Sequence, residues 1–108
     1  LLRQKKSMMG EIIEISDNNE TKIMDNVYAI TTPGHTNGHI SFIVKSNHGT
    51  ILIAGDQTMT KEEYCHRTFS RWYPKENLKQ LNESLDKAKS YNPDLVIPGH
   101  DRSFKPVK

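Results

Sequence analysis

Three short segments carry the residues whose types could do chemistry: Thr32-Pro33-Gly34-His35-Thr36-Asn37-Gly38-His39, Gly55-Asp56 and Pro98-Gly99-His100. Each sets a histidine or an aspartate on a glycine-containing turn just past a short apolar run, where a polar side chain can face outward while a rigid strand holds its backbone. Two imidazoles, His35 and His100, and one carboxylate, Asp56, make a donor set suited to zinc, with iron or manganese also possible. Because a carboxylate has two oxygens, Asp56 can serve two ions at once. A pair of ions about 3.5–4 Å apart can hold a hydroxide and polarise a carbonyl or phosphoryl oxygen, which is hydrolytic chemistry. Taken singly, each motif has a plainer reading, a structural histidine in a turn or an aspartate capping a turn or helix. Their recurrence in one context is what points to a metal.

The elements that must position these residues can be read from pattern. Residues 27–32 are strand-like and stop at Pro33, whose ring and missing N–H disfavour continuing a ladder, so the chain is delivered into the turn that holds His35. Residues 40–45 and 50–54 flank Ser46-Asn47-His48-Gly49, a hairpin pattern. Ile51-Leu52-Ile53-Ala54 is apolar without alternation, which predicts a strand buried on both faces, with Asp56 emerging from its far end. A helix start is expected at Thr60-Lys61-Glu62-Glu63 by the Thr/Glu capping pattern. A second helix should begin with Pro74 in its first turn, turn Leu78, Leu81, Leu85 and Ala88 to the core, and end before Asn92-Pro93. Leu95-Val96-Ile97 then forms a short strand ending at His100, and an earlier strand is expected over residues 11–15, followed by turn formers at 16–20. Strands followed by helix and strand predict an α/β layer, a mixed sheet with one amphipathic helix packed on it.

Size and composition bound the function. The chain has 108 residues, 34% of them hydrophobic and 26% charged, which allows one domain at most and a modest core. Its apolar runs are too short for a membrane span or the core of a signal peptide, so the cytoplasm is the expected compartment. A net charge of +2 with scattered lysines gives no concentrated field for nucleic acid. Cys65 is the only cysteine, which excludes an internal disulfide and a four-cysteine zinc site, and no base partner to activate it as a nucleophile is identifiable. The chain opens on Leu1, and residues 1–10 read as the continuation of something upstream.

Taken together, the three motifs in this order resemble the later metal motifs of the metallo-β-lactamase superfamily of hydrolases, over residues 23–104. The resemblance implies half of an αββα sandwich, with residues 1–108 as the C-terminal part of a single domain. It implies His35 as a ligand of the first of two zinc ions, Asp56 as the bridge and His100 as a ligand of the second, with His39 just behind them, orienting rather than ligating. The implied reaction is cleavage of an ester, lactone, thioester or amide of a small-molecule substrate by a metal-bound hydroxide. Lactonase-type members look most similar, although they carry a tyrosine three residues after the bridging aspartate where this chain has Met59. Glyoxalase II and other thioesterase-like members share the Thr-Pro-x-His-Thr-x-Gly-His pattern.

The family's His-x-His-x-Asp-His segment does not occur in this sequence. That leaves two donors per ion, fewer than the three typical of catalytic zinc. Weak metal binding is the expectation, and the alternative is a metal-poor, non-catalytic partial domain acting as a binding or assembly module. A half-sandwich would also leave an apolar sheet face through which the chain could self-associate. Tyr64, Phe69, Trp72 and Tyr73 are expected to cover the core or to line a substrate mouth. His48 and His66 are read as solvated surface histidines.

Overall fold

The computed structural model describes residues 2–3 and 13–108. Strand β1 (Leu2–Arg3) pairs antiparallel with β2 (Glu14–Ile15). The strand expected over residues 11–15 is thus seen at its last two positions, and residues 11 and 12 lie outside those described. A five-stranded sheet follows in the order β3 (Thr21–Met24), β4 (Val27–Thr31), β5 (Ile40–Ser46), β6 (Gly49–Gly55) and β7 (Leu95–Pro98). Neighbours from β3 to β6 are antiparallel, and β7 joins β6 in parallel after the chain has passed through helices α1 (Lys61–His66) and α2 (Lys75–Lys89). This is the α/β half-sandwich expected from the sequence, a mixed sheet with helices on one face.

Local chemistry explains most element boundaries. In the β5–β6 turn the Ser46 hydroxyl accepts from the His48 amide at 3.1 Å and donates to the Gly49 carbonyl at 3.0 Å, while Gly49 takes φ +109°, a conformation open chiefly to glycine. At the start of α1 the Thr60 hydroxyl accepts from the Glu63 amide at 3.2 Å, and Glu63 Oε1 reaches back to the Met59 amide at 2.7 Å, a reciprocal cap. The helix stops at Arg67, a left-handed residue whose N–H returns to the Glu63 carbonyl. Pro74 sits at the N-cap of α2, one residue ahead of the expected first turn.

The side of the sheet facing α2 is dry. Ile30, Ile43, Leu52, Ala54 and Val96 of the sheet meet Leu81, Leu85 and Ala88 of α2 together with Tyr64 and Phe69. Burying each of the leucines contributes roughly 1.5–3 kcal/mol. Phe104, brought alongside β7 by a pair of backbone bonds to Val96 at 2.8 and 3.0 Å, meets Tyr64 edge-on with ring centroids 5.4 Å apart.

The opposite side differs. β2 packs on β4, where Ile15 and Ala29 are both buried, but the same side of β6 and β7 stays partly open. Ile53 and its cross-strand partner Ile97 are each 37% exposed, whereas Leu52 and Val96, one residue along, are fully buried. The expectation that residues 51–54 are buried on both faces is therefore corrected: the helices cover one face only, and burial alternates along β6 with the pleat. Edge strand β3 escaped the sequence reading. It is short, half polar, and turns at Asn26, which takes φ 66°.

Leu85→Ala should lower stability by about 2–5 kcal/mol, read as a fall in the urea midpoint at constant slope. Ile53→Thr should cost far less. Equal losses for the two would show that the far face of β6 is covered in solution.

Candidate metal centre

His35, Asp56 and His100 converge on one rim of the sheet because the strands that precede them run the same way. β4 and β6 are each antiparallel to β5, and β7 is parallel to β6, so the C-terminal ends of β4, β6 and β7 share an edge. That edge is where open α/β sheets hold their ligands.

The loop carrying His35 is pinned on two sides. Within it, the Thr32 amide donates to the His39 carbonyl at 2.9 Å. From α2, Asn77 Nδ2 donates to the Gly34 carbonyl and the Ser84 hydroxyl to the Pro33 carbonyl, each at 2.7 Å. Gly34 lies against Leu81 at φ +146°, and an added Cβ there would come within 2.6 Å of Leu81 Cγ. Lys87 reaches the end of β4, donating to the Thr31 carbonyl at 2.9 Å and its hydroxyl at 3.0 Å. Partial burial lowers the Lys87 pKa. Helix α2 thus supplies both the core stripe and a row of polar contacts to the His35 loop.

Asp56 follows Gly55, whose φ of +58° turns the chain out of β6. Beyond it, Gln57 and Thr58 are buried, and the loop is tied to the segment holding His100: the Gly99 amide donates to the Thr58 carbonyl at 3.0 Å, and the His100 amide to that of Met59 at 2.9 Å. Gly99 has no room for a side chain, since a Cβ would stand 2.7 Å from the Gly55 carbonyl oxygen and 2.9 Å from Asp56 Oδ1.

The two carboxylate oxygens of Asp56 face different histidines. Oδ1 lies 3.1 Å from His100 Nε2, and Oδ2 lies 3.7 Å from His35 Nε2. Two ligands at zinc bond lengths and a tetrahedral angle stand roughly 3.3–3.6 Å apart, so both pairs are close to the separation that one shared ion requires. The fit is of two half-sites: among the described residues no three His, Cys, Asp or Glu side chains gather around a single ion position.

His39 is not a donor to that rim. Its Nε2 accepts the Asp56 amide at 3.0 Å, so Nδ1 must carry the proton, which it donates to the Thr32 hydroxyl at 2.8 Å. Thr32 in turn donates to Ser41 Oγ at 2.7 Å, and Ser41 to the Ala54 carbonyl at 2.9 Å. Burial is the main cause that holds the His39 pKa below its usual value, with a contribution from nearby His35, while Asp56 opposes it. A neutral ring is what this chain of bonds needs.

The remaining aromatics divide. Tyr64 and Phe69 are core residues, Trp72 is 95% exposed, and Tyr73 reaches the rim, its hydroxyl 2.6 Å from His35 Nδ1 with the rings edge-on at 78°. Burial, then Glu63 and Asp56, raise the Tyr73 pKa and keep the phenol protonated. The sequence offered no signal for this contact beyond an aromatic residue just ahead of α2. His66 forms a surface pair with Glu62, and His48 is exposed in its turn.

Comparison with known proteins bears on the fold and the family. No curated protein matches the chain. Among solved structures, an N-acyl homoserine lactone hydrolase with the product N-hexanoyl-L-homoserine bound at its catalytic metal center superposes with a TM-score of 0.61 at 26% identity. That match covers 76% of this chain and 33% of the other. A B. thuringiensis AiiA mutant with N-decanoyl-L-homoserine bound at its active site gives the same TM-score, identity and coverage. A metallo-beta-lactamase family protein from Thermus thermophilus, at 20% identity and TM-score 0.58 over 84% of this chain and 30% of its own, supports the fold alone. The chain spans about a third of the length of these structures. The family model of the metallo-beta-lactamase superfamily matches residues 14–100. With that match over most of its length, and with its motifs at the rim where the fold gathers them, the chain belongs to the metallo-beta-lactamase superfamily.

Proposed function

We propose that this chain is the C-terminal part of a single metallo-β-lactamase-like domain and supplies part of a two-zinc site that hydrolyses an ester, lactone, thioester or amide. The observation that carries the reading is the carboxylate of Asp56 lying between the Nε2 atoms of His35 and His100, at 3.7 and 3.1 Å. His35 would hold one ion, His100 the other, and Asp56 both. Iron or manganese would suit the same donors. Divalent metal bound there supplies Lewis acidity, polarising an acyl oxygen and making water acidic enough to attack near neutral pH. The protein's own part is to hold the donors: His39 fixes the Asp56 backbone, and α2 fixes the loop of His35. With two donors for each ion, the site is completed by donors from outside this sequence.

The 26%-identical structures bear N-acyl homoserines, in one of them as the product, which favours a lactone or a related small acyl substrate. No helix of the described residues is long and apolar enough to cross a membrane.

A second reading is favoured by the open face of β6 and β7: a metal-poor chain that acts by binding a partner, or a second copy of itself, through Ile53 and Ile97. Sedimentation distinguishes them. Concentration-dependent dimers that dissociate in Ile53→Lys would support association through this face, and a monomer at every concentration would remove it.

Metal analysis of the purified chain tests the first reading. Zinc should be retained above background and lost in His35→Ala and His100→Ala, with His48→Ala unchanged; zinc at background in the unaltered chain refutes metal binding by these donors. Gly99→Ala should weaken zinc binding by about tenfold or more, because its Cβ displaces Asp56 Oδ1. Unaltered affinity would show that the Asp56 position is not what holds the metal.

A further inference from the structure

His35 stands on a loop whose backbone is fixed by α2, yet those bonds leave its imidazole free to turn. Its side chain is 30% exposed, and neighbouring Trp72 is in solvent. We propose that Tyr73 is the positioning residue of His35, its hydroxyl holding Nδ1 so that Nε2 faces Asp56. This rests on the reading of His35 as a metal donor.

The contact is directed. The rings meet edge-on with centroids 6.0 Å apart, so the phenol touches the imidazole through its oxygen and not its face. His35 is the only hydrogen-bond partner of that hydroxyl among the described residues. The tyrosine is itself well anchored: its amide returns to the Ser70 carbonyl at 3.3 Å, Pro74 fixes the backbone after it, and its ring packs on the core cluster. The linker between α1 and α2 thereby reaches the His35 loop, 38 residues away in sequence.

A hydroxyl suits this place because it both donates and accepts. When the His35 proton is on Nε2, opposite Asp56 Oδ2, Tyr73 donates to Nδ1. When the proton is on Nδ1, Tyr73 accepts it and the Nε2 lone pair is left for a cation. Tyr73 therefore keeps the ring in one orientation in both tautomers, whereas an ionised carboxylate in its place could serve only the second. Ligating histidines are generally set in this way through their far nitrogen, and loss of the partner weakens metal binding by about 10–100-fold.

The test uses the full 108-residue chain, ¹⁵N-labelled, as wild type and Tyr73→Phe, with Trp72→Phe as a control. In the metal-free state at alkaline pH the Nδ1 resonance of His35 should move in Tyr73→Phe toward that of an unbonded imidazole. Those of His39 and His48, and the thermal midpoint, should stay in place. An unmoved His35 resonance overturns the proposal. On titration with zinc, Tyr73→Phe should bind about tenfold or more weakly than wild type and Trp72→Phe like wild type, and equal affinity for Tyr73→Phe also overturns it. If the wild type binds no zinc, metal binding by this chain alone fails, and the Nδ1 resonance alone still decides the role of Tyr73.

Discussion

The rim of this sheet depends on one hydrogen bond, from the amide of Asp56 to Nε2 of His39. Its direction is forced, since an amide can only donate, and it forces every bond behind it. His39 must be neutral with its proton on Nδ1, Thr32 must accept that proton and pass its own toward Ser41, and Ser41 must end the chain on the Ala54 carbonyl. Four segments are thereby joined, the end of β4, the His35 loop, the start of β5 and the end of β6. Every member of the chain is buried or half-buried, so a missing link would leave a polar group unpaired at a cost of about 1–3 kcal/mol. The same chain separates the roles of two histidines four residues apart. His39 spends both nitrogens inside the protein, and His35 keeps Nε2 for the rim.

Strand direction does the rest. A pure antiparallel meander would send alternate strands to opposite edges, and Asp56 and His100 would face apart. The helical passage between β6 and β7 reverses that, returning the chain to the edge at which β6 begins so that β7 runs beside β6 in parallel. The helix that makes the passage is then used twice. Its apolar stripe closes the core, while Asn77, Ser84 and Lys87 donate to the carbonyls of Gly34, Pro33 and Thr31, in the loop and strand that precede His35. Packing and site geometry are therefore coupled through one element, and a change that tilts α2 moves His35 as well.

Much of this was legible in the sequence. The β5–β6 hairpin, the reciprocal cap at Thr60 and Glu63, the Leu81, Leu85 and Ala88 stripe and the place of His35, Asp56 and His100 just past strand ends all follow from local pattern. What was not legible arises from contacts far apart in sequence. The bond of Tyr73 to His35 spans 38 residues and those of Ser84 and Lys87 to the loop more than 50, and neither has a periodic signature. β3 was missed because an edge strand of four residues, two of them polar, carries little of the alternation that identifies a strand. The tail was missed because Phe104 joins Val96 through backbone groups alone, which any residue could offer.

β6 departs from its sequence pattern for a different physical reason. Ile51-Leu52-Ile53-Ala54 has the composition of a strand covered on both sides, and β7 repeats it in Leu95-Val96-Ile97. In this structure one set, Leu52, Ala54 and Val96, is sealed by the helices, and the other keeps a third of Ile53 and Ile97 in water. Covering what remains would contribute roughly 0.5–1 kcal/mol for each isoleucine. That surplus of apolar character lies on the side of the sheet away from α2, and it borders the rim at which Asp56 and His100 emerge. A layer placed there would bury the face and stand next to Asp56 and His100 at once, so the hydrophobic pattern of β6 and β7 and the exposed polar residues at their ends meet at one edge of the sheet.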